Sequence, residues 1–135
     1  MKRKKNISPT VLTMNYLRKR GVDCSVVEKW IKFGRFGVRR DCFGFDILCL
    51  LGDKTMGCQA GAGSMHSAKV KHAIDHPDVL KWLSSEHRIF QVWTFSKRVV
   101  FNADGKKSKT LRWTPRVTEI YREGNALFSR PFILS

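Results

Sequence analysis

The stretch FGFDILCLLGDKTMGCQAGAG, residues 43–63, decides how the rest of the chain is read. It holds two apolar runs, FDILCLL and TMGCQA, on either side of Gly52-Asp53. Apolar runs separated by a glycine-led two-residue turn read as a β-hairpin. With Gly52 first in the turn, Leu51 pairs with Lys54, and counting outward sets Asp46 opposite Gln59. Directly opposed side chains on one face have Cβ atoms about 4.5–5.5 Å apart. Two oxygen-bearing side chains then point at one spot, with Leu48, Gly57 and Gly61 on the same face. A carboxylate on a buried strand is costly unless something neutralises it. Three partners remain open for Asp46: a cation, an arginine such as Arg39 or Arg40, or a hydrogen-bond network with Gln59 alone.

Working outward, Ser8-Pro9 is a helix start, with a capping hydroxyl and a proline in the first turn. Arg18, Lys19, Arg20 and Gly21 suit its end, which predicts a helix over 9–20. VDCSVVEKWI (22–31) is β-branched and aromatic and reads as one strand. KFGRFGVRRDCFG (32–44), with three glycines and four basic residues, reads as a loop, either mobile or facing a ligand. After the hairpin the period changes: Ser64 is placed to cap a helix running to about residue 75, and Pro77 opens a second short one. RIFQVWTFS (88–96) is apolar on both faces and reads as a central strand. A final strand is expected near 111–120, and Pro115 argues that this strand is at an edge of the sheet. The expected organisation is a basic arm over 1–7, a domain over 8–121 and a tail over 122–135. The fold class is α/β: a mixed central sheet flanked by helices in the order α-β-β-β-α-β, plus a C-terminal strand.

The 135 residues carry 26 Lys plus Arg against 11 Asp plus Glu, a net charge of +15. Such an imbalance predicts attraction to a polyanion, most simply nucleic acid. The basic residues fall in separated clusters, at 2–5, 18–20, 35–40, 97–98 and 106–109, which suits several edges of one domain gripping phosphates. Arg35, Arg39, Arg40, Lys69, Lys71, Lys97 and Arg98 are the candidate backbone contacts. GAGSMHS, through Ser64, either cradles a phosphate at a helix N-terminus or simply makes a tight turn. No apolar run approaches the roughly 18 residues needed to cross a bilayer, so no membrane partner and a cytoplasmic setting are expected. Cys24, Cys42, Cys49 and Cys58 form no closely spaced pair and read as buried free thiols. His72 and His76, one helical turn apart, read as part of a helix ending.

Asp46, the hairpin and Gln59-Ala60-Gly61 together resemble the core motif of the PD-(D/E)xK nuclease superfamily. That motif is an Asp, a hairpin, and then Glu-x-Lys. The segments SPTVLTMNYLRKRG (8–21), VVEKW (26–30) and RRDCFGF (39–45) extend the likeness over residues 8–120. They are similar to small phage and bacterial Holliday-junction-resolvase-like or VRR-NUC-like members, which also carry Gln in the Glu position. The resemblance implies a restriction-endonuclease-like fold and an Mg²⁺- or Mn²⁺-dependent DNA endonuclease, with branched or structured DNA as substrate. It implies that Asp46 and Gln59 hold the metal and that a lysine positions or deprotonates the attacking water. In this chain Gly61 stands where that lysine belongs. A second acid must then come from Glu28 or Asp41, and a replacement base from Lys69 or Lys71. A two-fold substrate would suit a homodimer. Two other readings stay open: a DNA-binding module on the same fold without chemistry, and a basic adaptor that binds another protein.

Overall fold

In the computed structural model the described residues are 7–33, 35–40 and 42–134. They form α1 (Pro9–Arg18), β1 (Asp23–Val26), β2 (Lys29–Phe33), β3 (Phe36–Arg40), β4 (Ile47–Leu51) and β5 (Lys54–Ala62). A short 3-10 turn (Gly63–Met65) leads into α2 (His66–Asp75) and α3 (Pro77–Trp82). Three strands complete the chain: β6 (Arg88–Phe101), β7 (Lys107–Glu123) and β8 (Ala126–Phe132). The main sheet has six strands in the order β1-β4-β5-β6-β7-β8. β5 and β6 run parallel, and every other neighbouring pair is antiparallel. The chain is thus α/β with a mixed sheet flanked by helices, as expected.

Alternating side chains divide the core in two. On one face Met14 and Leu17 of α1 pack with Ile47, Cys49, Met56, Cys58, Trp93 and Phe95. On the other, Ala73 of α2 and Val79 of α3 pack with Phe45, Phe90, Val92 and Ile120. The helix starts follow local chemistry. Ser8 Oγ accepts from the Val11 N–H at 3.2 Å and Pro9 is the first helical residue. The α1 helix stops at Arg18, two residues before the expected end, and Gly21 turns the chain with φ +79°.

Several expectations change. The strand expected over 22–31 is split. β1 ends at Val26, and the Val27 N–H makes one further bond in the same register, to the Asp46 carbonyl (2.8 Å). β2 then begins at Lys29 in a separate two-stranded sheet. The stretch expected as a loop over 32–44 is largely the β2–β3 hairpin, a two-stranded sheet of its own. Ser64 does not cap α2: the helix begins at His66 and Met65 holds the cap position. Residues expected as a tail from 122 onward finish β7 and form β8, the last strand of the sheet. The strand with Pro115 is not the edge strand expected, because β8 lies beyond it; Pro115 itself falls where β8 no longer covers β7, past the Val117↔Phe132 pair.

All four cysteines are free thiols, Cys49 and Cys58 buried, Cys24 and Cys42 half-buried. The sulfurs of Cys49 and Cys58 lie 3.9 Å apart under α1. Burial first, then the contact with Cys49, pushes the Cys58 thiol well above its ordinary range.

Candidate active site

The hairpin has the register read from its turn. Leu51 pairs with Lys54, and the ladder runs to Ile47↔Cys58, with Gly52 at φ +65°. It stops one residue short of the expected Asp46–Gln59 pair. Phe45 has left the ladder. Its N–H and carbonyl both bond Cys42, each at 3.0 Å, around a tight turn in which Phe43 (φ 50°) and Gly44 (φ 88°) are left-handed. The Ala60 N–H would otherwise have met the Phe45 carbonyl. Asp46 Oδ2 accepts from it instead, at 3.2 Å. Asp46 is further tied by its own N–H to the Cys58 carbonyl (2.9 Å) and by its carbonyl to Val27. A buried carboxylate is therefore fixed against the backbone of the residue that follows Gln59.

Gln59 is buried on the α2 side. Its amide is satisfied in one orientation, donating to the Gly44 carbonyl at 2.7 Å and accepting from Lys69 Nζ at 3.3 Å. The left-handed turn at 43–44 thus has a second use: it delivers a carbonyl to the amide. Phe43 is held there by stacking on Trp82, with ring centroids 6.4 Å apart.

Lys69 reaches the site from α2 across Gly61. A Cβ at position 61 would fall 2.6 Å from Lys69 Cδ and 3.3 Å from its Nζ, and would overlap Cε. The space that a side chain at 61 would take holds the lysine of the helix.

The structure therefore brings Gln59 and Lys69 into contact and anchors Asp46 on the backbone of Ala60, the next residue of β5; it does not make the expected Asp46–Gln59 pair. Glu28 is half-buried and follows Val27, so it lies at Asp46's end of the sheet. Asp41 falls outside the described residues. Arg39 and Arg40 lie on β3, in register with Trp30 and Lys29, and their side chains are likewise outside the description. Arg35 is exposed just ahead of β3. Ser64 is exposed in the 3-10 turn before α2, Lys71 is exposed on α2, and Lys97 and Arg98 are exposed on β6. These four are not in the Asp46 cluster.

The chain matches no family model, no curated protein and no solved structure.

Two residues that the motifs did not flag sit beside the site. His66, at the start of α2, is buried with Nδ1 2.6 Å from Thr94 Oγ1 and Nε2 2.6 Å from Thr118 Oγ1. Burial first, and then the nearby Arg116 guanidinium, lower its pKa from 6.5, so the ring is held neutral. Arg116 belongs to two adjoining grooves on this face. One, about 370 Å³, is lined by His66, Ser67, Lys71 and Arg130 among others. The second, about 500 Å³, includes Ser96, Arg98 and Thr114. Arg130 is already paired with Glu119 at 2.8 Å.

The donor set suits a hard cation in part. Mg²⁺ takes oxygen ligands and is commonly held by one or two carboxylates with several retained waters. Asp46 and Gln59 supply oxygens of that kind. Among the described residues no group of three or more His, Cys, Asp or Glu side chains is placed to hold a metal. A site here would rest on few protein ligands. No described helix is long and apolar enough to cross a membrane.

Proposed function

We propose that this chain is a metal-dependent DNA endonuclease with a restriction-endonuclease-like core, hydrolysing phosphodiester bonds, branched or structured DNA included. One observation carries the reading: Lys69 of α2 lies over Gly61 and contacts Gln59, on the same strand as Ala60, whose N–H anchors Asp46. A strand-borne acid and amide with a lysine in the adjoining space is the chemistry that the sequence motif calls for. The lysine comes from the helix rather than the strand.

Each side chain then has a task. Asp46 and Gln59 are the residues that would hold Mg²⁺ or Mn²⁺. When bound, the ion supplies Lewis-acid stabilisation of charge on the transferring phosphoryl group. Asp46 is held by the Ala60 N–H, so its carboxylate does not need to be organised when substrate arrives. Lys69 carries a positive charge to the same place, where it orients the attacking water or holds a phosphate oxygen. The net charge of +15 draws the polyanion in. A cytoplasmic setting and a homodimer on a two-fold substrate belong to the same reading.

A second reading has its own support. Gln59 is neutral, and its amide oxygen is already in contact with the Lys69 ammonium. That arrangement also suits a module that binds DNA without cutting it.

The two separate on incubation of linear and branched DNA with Mg²⁺ or Mn²⁺. The endonuclease cleaves, and Asp46→Asn loses about a hundredfold or more in rate while DNA affinity stays within about twofold. Salt-sensitive binding with no cleavage under either metal rejects the enzyme in favour of the module. Absence of DNA binding rejects both and leaves the protein-binding adaptor.

A further inference from the structure

The β6–β7 hairpin is longer than the sheet that carries it. β5 follows β6 only to the Ala62↔Phe95 pair, and β8 follows β7 only from Val117. Beyond those points Ser96–Phe101 and Lys107–Arg116 pair with each other alone among the described strands. Six residues of strand project about 20 Å. The tip is closed by Gly105 at φ +82° and by bonds from the Asn102 N–H to the Lys106 carbonyl and from the Gly105 N–H to the Asn102 carbonyl, each 2.9 Å. A two-stranded hairpin is at best marginally stable by itself in water, so a ribbon of this length calls for a partner.

Its charge names the kind of partner. Residues 96–116 contain seven lysines and arginines and one acid, Asp104. Arg98 stands directly opposite Arg112. Like charges directly opposed are destabilising, and no described carboxylate lies within ion-pair distance of either. Both are exposed. An anion between them would remove the repulsion.

The ribbon's two faces differ. Side chains alternate along a strand, so Arg98 and Arg112 share a face with Ser96, Thr114 and Arg116. Gly61, Thr94 and Arg116 lie in register across β5, β6 and β7, so this face is continuous with the one on which Lys69 lies. The opposite face carries Val99 against Leu111, and Trp113 with the Lys97 ammonium 5.0 Å over its ring. Four residues along β6 and one or two strand spacings across put the arginine pair about 15 Å from Gly61.

Resting on the nucleic-acid reading above, we propose that this ribbon is an arm for double-stranded DNA. Its Arg98–Arg112 pair grips a phosphate backbone that is running toward the Asp46–Gln59–Lys69 site. A two-stranded ribbon has the width that a major groove admits. At 3.4 Å per step, 15 Å places the contact about four to five base pairs from the bond at the site. The substrate therefore has a duplex flank on that side.

The test is binding of a duplex of about 20 base pairs, and of one of its single strands, measured by fluorescence anisotropy in a salt series without metal. Parent protein is compared with Arg98→Ala/Arg112→Ala and with Val99→Ser/Leu111→Ser on the other face. The arginine variant is expected to bind duplex about tenfold more weakly at ~0.1 M salt. Its salt slope should be shallower by about two, with single-strand affinity little changed. The Val99/Leu111 variant should keep the parent slope. Because all four positions are exposed strand sites, both variants should fold, and the arginine variant should melt no lower than the parent because the opposed like charges are gone. A parent that binds duplex while the arginine variant keeps its slope overturns the arm and leaves the endonuclease reading standing. Equal losses on duplex and single strand overturn the duplex assignment. A parent that binds no DNA overturns both proposals together.

Discussion

Lys69 of α2 occupies the space into which a side chain at Gly61 of β5 would project. The helix and the strand are thereby matched: one supplies a long cation, and the other leaves out a Cβ to receive it. Gly61→Ala tests this match. The lysine is flexible and can swing aside, so the stability cost should stay below about 1 kcal/mol. Its contact with Gln59 is then lost, and cleavage should fall as far as in Lys69→Ala. Combining the two changes should add little, because they remove one interaction. Single-turnover rates on the four proteins of this cycle give the answer, and additive losses would count against the match.

Gly57 tells the opposite story. A Cβ there would lie 2.7 Å from Phe45 Cγ and 2.9 Å from Cε1. Phe45 is fully buried and packed between Trp82 and Phe90, and its backbone is bonded to Cys42 on both sides. The ring cannot move aside cheaply. Gly57→Ala should cost about 1–3 kcal/mol, the range for overpacking a core. Urea denaturation with an unchanged m-value checks it.

His66 makes stability depend on pH. Its folded pKa lies below the unfolded 6.5, because burial and then Arg116 disfavour the imidazolium. Between the two values the unfolded chain binds more protons, so stability rises with pH. The contribution is complete above 6.5 and is lost as pH falls through the lower folded value. His66→Gln should flatten the dependence of melting temperature on pH over that window. An unchanged profile would remove His66 as its source.

Gln59→Glu places a carboxylate beside Lys69 Nζ and removes the amide donor from the Gly44 carbonyl. Added negative charge should tighten Mn²⁺ binding by about tenfold. The lost hydrogen bond should lower stability by about 1–3 kcal/mol. Isothermal titration with Mn²⁺ and a melting curve on the same sample measure both effects. Weaker Mn²⁺ binding would argue that residue 59 faces no metal.

Much of the frame was legible because its signals are local. Gly52-Asp53 set the hairpin register, Ser8-Pro9 set the start of α1, and the two-sided apolar run at 88–96 marked a strand interior to the sheet. What escaped depends on distant partners. Nothing in VDCSVVEKWI marks a break, since its two halves pair with different strands, β1 with β4 and β2 with β3. Asp46 leaves the ladder because Phe45 turns toward Cys42, a choice made by the left-handed pair at 43–44. His66 is held by threonines 28 and 52 residues away, so no local pattern announces it. The β6–β7 arm carries seven lysines and arginines between residues 96 and 116, and its polarity hid its length. Lys69 was within reach of sequence reasoning, because a missing lysine at 61 asks for a cation nearby. Its position across Gly61 required the sheet.

The one parallel pairing in the sheet, β5 with β6, is bridged by α2 and α3. A hairpin such as β4–β5 closes over a two-residue turn, whereas a parallel neighbour must wait for its crossover to be laid down. The hairpin that ties Asp46 to Ala60 can thus form early during refolding, and the Lys69 ammonium reaches Gln59 only once the crossover has settled. On the endonuclease proposal, recovery of cleavage should therefore lag behind recovery of β-sheet signal, and the rate of cutting would serve as a clock for the last step of assembly.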